Sequence, residues 1–119
     1  MMTDLEGVAG VLNFQEWTGP GKPYYELARE LLTLEVNAAV EGLFEGGATQ
    51  ILVMDAHGPG AINIKLLDPR VEVQRGWSDP VWPLCLGDSY DFVVWVGQHA
   101  KAGTEYAHLC HTQSLAYLD

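Results

Sequence analysis

A chain of 119 residues, 48% of them apolar and with a mean hydropathy of +0.02, carries enough core-forming sequence for one globular domain and excludes a disordered class. No apolar run approaches the roughly 18 residues of a membrane span, and residues 1–6 lack the basic and apolar stretches of a signal peptide, so no membrane partner is expected. The 16 Asp plus Glu against 6 Lys plus Arg leave a net charge of −10, which argues against nucleic acid and suits cations, divalent metals included.

In chain order, Asp4 and Glu6 come first, two residues apart. In an extended segment both carboxylates would point to one face and could reach one cation. So close to the chain start they would fray unless the sheet or a neighbouring subunit pins them. The Gly/Pro segment 18–23 then reads as a loop, with Pro23 at the first helical position. Residues 24–45 carry the clearest helix, with Tyr24, Leu27, Ala28, Leu31, Leu32, Val36, Ala39, Val40 and Leu43 at spacings of three and four. Gly46-Gly47 ends it. Glu35 falls inside the apolar stripe, either bonded to the amides of a neighbouring loop or supporting a site or subunit contact. Residues 50–54 form a short run of buried-strand type, 71–75 alternate as a half-exposed strand, and 92–96 read as the strongest strand. The Pro/Trp-rich stretch 76–83 is a loop whose Trp77 and Trp82 serve packing. The order predicts an α/β fold in one domain, with a mainly parallel sheet and flanking helices.

The polar residues gather at the strand ends. The 50–54 run leads into Asp55-Ala56-His57-Gly58, and the 92–96 run into Gly97-Gln98-His99-Ala100. In open parallel sheets ligands bind beyond the carboxyl ends of the strands. Two histidines and the Asp4/Glu6 pair thus converge on one edge, with the mixed carboxylate and imidazole donors of catalytic zinc hydrolases. Asp55 reads as orienting its loop or His57. A further cluster, His108-Leu109-Cys110-His111, follows. Cys110 and Cys85 read as free thiols of a reducing, cytoplasmic compartment. The chain has neither a Gly-rich phosphate loop nor a G-x-S-x-G elbow. Few basic residues lie near the motifs, which ranks a phosphoesterase low.

These motifs carry a family resemblance. Residues 3–11 (T-D-L-E-G-V-A-G-V) resemble the opening metal motif of the D-aminopeptidase family (DppA-type, peptidase family M55). Residues 54–58 are similar to its N-D-A-H-G motif, with Met54 in place of Asn. Residues 97–104 resemble G-Y-H-A-R-A-G-T, His111-Thr112 resembles a downstream H-T, and 32–39 match the family's helix, Glu35 included. The resemblance implies a zinc-dependent aminopeptidase with a dinuclear site, acting on short peptides containing D-amino acids, in a ring-like homo-oligomer. Asp4 would bridge two zinc ions, Glu6 and His57 would complete the first, His99 would bind the second, and His111 would be catalytic as base or nucleophile. Family members use a further glutamate on the second metal, downstream of Asp119, and are much longer. The chain is therefore expected to be the truncated N-terminal metal-binding portion of a peptidase, holding one metal better than two. A non-catalytic homologue acting as an oligomerising or binding domain is the alternative.

Overall fold

The computed structural model describes residues 1–76 and 87–112. Trp77, Trp82 and Cys85 lie outside them. The elements are β1 (Met2–Thr3), α1 (Phe14–Trp17), α2 (Tyr25–Glu45), β2 (Leu52–Asp55), β3 (Glu72–Arg75) and β4 (Trp95–Val96). The strands form one sheet in the order β3-β2-β1-β4, and every pair is parallel.

The two-residue strand β1 lies inside the sheet, between β2 and β4. The Met1 amino group donates to the Leu52 carbonyl at 2.7 Å, while the Met2 and Asp4 amides donate to Val94 and Val96 at 2.8 and 3.0 Å. On the other side the Met54 and Ala56 amides donate to Met1 and Thr3. Pairing along both edges removes the fraying expected of a chain start, and it is the sheet that provides the pinning.

Helix α2 begins one residue later than its apolar spacing suggests. Tyr24 is the N-cap, so Pro23 stands outside the helix and not at its first position. Ala28, Leu32, Val36 and Val40 bury one stripe against Val53, Ile51, Leu5 and Val8. The stripe is narrower than expected, with Tyr24 and Leu27 exposed. Beside it runs a polar row spaced by four. Arg29 donates to the Ile62 carbonyl, Thr33 Oγ1 accepts from the Asn63 amide, and Asn37 bonds both Leu66 and Asp68. This row anchors the crossover to β3, and side chains four apart on a helix suit the task.

The run at 92–96 departs most from expectation. Only Trp95 and Val96 pair as strand, and Phe92 and Trp95 are 84% and 55% exposed. β4 lies at the sheet edge beside a two-residue neighbour, which offers no longer ladder. β3 is likewise mostly exposed. Among the described residues no helix is long and apolar enough to cross a membrane.

Candidate metal centre

Asp4 leaves the end of β1 and enters a turn, so the pair with Glu6 is not set by an extended strand. Leu5 and Val8, buried on either side of Glu6, fasten this turn to the core. The Asp4 carboxylate accepts the Leu5 amide at 2.9 Å. Gly7 and Gly97 let two loops meet backbone to backbone, with the Gly7 amide on the Gly97 carbonyl at 2.8 Å. A Cβ on Gly7 would strike the Gln98 carbonyl, and one on Gly97, at φ +71°, the Asp4 carbonyl.

His57 follows β2 in a loop folded around Asp55. The buried Asp55 carboxylate accepts the Ala61 and Ile62 amides at 2.8 and 3.1 Å and Arg75 Nε at 2.8 Å. Asp55 thus shapes the loop that carries His57. His57 Nε2 lies 3.0 Å from the Thr18 carbonyl. A carbonyl only accepts, so Nε2 carries a proton. The other ring nitrogen, Nδ1, faces Asp4 Oδ1 at 3.3 Å and Glu6 Oε2 at 3.2 Å.

His99 repeats the pattern. Its Nδ1 donates to the Ala100 carbonyl at 2.8 Å, and its Nε2 faces Asp4 Oδ2 at 3.3 Å. The two oxygens of Asp4 therefore face two different imidazoles. His111 stacks on His99 with ring centroids 3.5 Å apart, and its Nδ1 donates to the Leu109 carbonyl.

One donor atom each from Asp4, Glu6 and His57 lie within 4.8 Å of one another. Glu6 Oε2 is buried without a well-formed hydrogen bond, and His57 Nδ1 lies 3.2 Å from it. A buried carboxylate oxygen without a donor is costly. With Nε2 committed to the Thr18 carbonyl, loss of the other ring proton would leave the Nδ1 lone pair between the two carboxylates, where a divalent cation would use it. The donor set therefore fits zinc.

The two carboxylates also favour the charged imidazole. Burial alone would lower the His57 pKa, but the hydrogen bonds and charges of Asp4 and Glu6 outweigh it and carry it up to about 10. Burial likewise works to raise Asp4, and its hydrogen bonds to His57 and the Leu5 amide leave it below the usual carboxylate range.

The family model for D-aminopeptidase, peptidase M55, matches residues 1–119. The chain belongs to the D-aminopeptidase family. It is similar to a D-aminopeptidase of Bacillus subtilis (strain 168), 29% identical over 106 residues, which span 87% of this chain and 38% of that protein. Among solved structures it is similar to the Zn-dependent D-aminopeptidase DppA from Bacillus subtilis, a self-compartmentalizing protease. The TM-score is 0.85 at 28% identity, covering 95% of this chain and 42% of that one. The chain thus spans about two fifths of the length of these D-aminopeptidases.

Of the residues singled out from sequence, Asp4, Glu6 and His57 come together directly, His99 joins through the second oxygen of Asp4, and His111 through its stack on His99. Glu35 stands apart from them, accepting the Ala9 amide at 3.0 Å and so bracing the turn behind Glu6. Sequence reasoning missed Gln98, whose amide donates to Asp4 Oδ2 at 3.1 Å, and Phe14, whose ring meets His111 edge-on at 5.4 Å. It also missed helix α1, although Asn13-x-x-Glu16 is a helix-start pattern.

Proposed function

We propose that this chain is the metal-binding portion of a zinc-dependent aminopeptidase that hydrolyses short peptides containing D-amino acids through a dinuclear site. The observation that carries the reading is the pair of imidazoles, His57 and His99, each with one nitrogen spent on a backbone carbonyl and the other aimed at Asp4. Asp4, Glu6 and His57 would hold the first ion, and His99 with the second Asp4 oxygen would contribute to the other. Zinc there supplies Lewis-acid polarisation of a peptide carbonyl and lowers the pKa of water.

The chain's own residues would do the rest. His111 has its Nδ1 proton committed to Leu109, which leaves Nε2 as the ring atom able to accept a proton. Stacked against His99, it would stand beside the metals without being bound to them, and so could pass a proton to the leaving amine. Asp55 and Glu35 would keep the His57 loop and the Glu6 turn in place. A self-associating assembly fits the description of the DppA relative as a self-compartmentalizing protease.

A second reading is a homologue that binds metal without turnover. It is favoured by the sparse donor set around His99, where the described residues form no further metal-holding group. The test is release of the N-terminal residue from a D-alanyl dipeptide by the zinc-loaded chain. Release that disappears in His111→Ala while zinc content stays at the wild-type level supports the peptidase. Zinc binding with no release from any short D- or L-peptide establishes the second reading instead.

A further inference from the structure

Three of the four histidines touch one short stretch of chain. His108 Nε2 donates to the Val11 carbonyl at 2.7 Å, the Phe14 ring meets His111 edge-on, and the Thr18 carbonyl accepts from His57 Nε2 at 3.0 Å. These histidines come from loops beyond two different strands, yet their partners fall within eight residues. The stretch is firmly held. Val11 and Trp17 are buried in the core, and Trp17 stacks on Tyr24 at 4.9 Å. Between them Asn13 caps α1, accepting the Glu16 amide at 2.8 Å and donating to the Glu16 carboxylate at 2.9 Å. α1 is too short to hold its shape by helical hydrogen bonds alone, so the cap and the two anchors set it.

We propose that residues 11–18 are a single positioning element for both halves of the site. Phe14 holds the His111 ring over His99, and the Thr18 carbonyl turns His57 Nδ1 toward Asp4 and Glu6. An imidazole can rotate about two side-chain bonds, and a second ring contact beside the stack restricts that rotation. Phe14, at 76° to His111 with centroids 5.4 Å apart, supplies one. A carbonyl acceptor selects the histidine tautomer and ring orientation in the same way as a carboxylate partner would. Because both contacts issue from one capped turn, the two rings are set together and not one by one. The functional meaning of this element rests on the peptidase reading, but its existence does not.

The test is proton NMR on the metal-free 119-residue chain with labelled histidines. Asn13 touches none of the histidines in question, so Asn13→Ala separates a shared element from independent local contacts. The expected result is joint loss, in Asn13→Ala, of the Phe14–His111 ring cross-peaks and of the exchange-protected His57 ring N–H signal. Val36 and Val40 methyl signals should stay in place, showing an intact core. Phe14→Leu keeps an apolar side chain and should shift the His99 and His111 ring signals toward unstacked values while leaving the His57 N–H protected. Asn13→Ala with both contacts intact, or with only one lost, overturns the proposal, as does Phe14→Leu with unchanged His111 signals. Zinc added to the same wild-type sample keeps the two readings apart. Failure to bind zinc with both ring contacts present contradicts the peptidase reading alone.

Discussion

The two halves of the candidate site are built by opposite means. Asp4, Glu6 and His57 leave the central strands β1 and β2, which are paired on both sides, and their side chains are nearly buried. His99 and His111 sit on the long irregular segment after β4, an edge strand of two residues. That segment places Tyr106 and Leu109, neither of them glycine, at φ of 58° and 51°. The first half is therefore seated on the sheet, and only the His57 ring takes a contact from outside it, at the Thr18 carbonyl. The second depends on contacts it borrows: Asp4 for His99, Ala100 and Leu109 carbonyls for ring protons, and Phe14 for His111. A metal site can thus be rigid on one side and assembled on the other while sharing a single carboxylate.

The seam between the halves is where the largest effect is expected. Gly97→Ala would drive a Cβ into the Asp4 carbonyl and the Val8 and Leu32 side chains, at a positive φ. We expect a loss of more than about 3 kcal/mol in urea unfolding. Gly42→Ala, in helix α2 with open space around it, should instead raise stability by about 0.5–1 kcal/mol. Equal effects would show that the seam is not close-packed.

The first half should respond strongly to pH. In metal-free protein the His57 pKa rises from 6.5 to about 10. The stability this contributes is fully present below 6.5 and is lost as pH rises through about 10. Zinc must expel that proton to reach Nδ1. Its apparent affinity should therefore climb about tenfold per pH unit from neutrality toward that value, with about one proton released. Calorimetric titration in buffers of different ionisation heat reads both quantities. A pH-independent affinity would remove His57 from the ligand set.

The second half should respond more weakly. His99→Ala is expected to lower total zinc bound at excess metal while sparing the tight site, because His99 reaches only the second oxygen of Asp4. His108→Ala should leave zinc content unchanged, since its ring bonds the Val11 carbonyl. Plasma mass spectrometry of dialysed variants distinguishes the two, and equal losses would erase the difference between the halves.

How much the sequence reveals follows the same division. The parallel sheet, helix α2 and the gathering of Asp4, Glu6 and His57 at one end of the sheet could be read from apolar spacing and from the placement of motifs at strand ends. The run at 92–96 could not, because continuous apolar character signals burial only where a neighbour covers it. Here Phe92 and Trp95 lie at an exposed edge. The Thr18 carbonyl and the Gln98 amide were also beyond reach, since a backbone carbonyl carries no sequence signature and Gln98 acts only through the close approach of Gly7 to Gly97. Asn37 lies off the apolar stripe of α2 and clamps the 66–68 loop, a tertiary contact that periodicity does not encode.

The central claim is that Asp4, Glu6 and His57 form a zinc site that the sheet holds ready. Calorimetric titration of zinc into the metal-free chain, repeated on His57→Ala and Glu6→Gln, tests it most directly. The account predicts one tight ion per chain, weakened by more than about 100-fold in each variant, because losing a ligand should exceed the 10–100-fold cost of losing a supporting hydrogen bond. Wild-type affinity in either variant would contradict it.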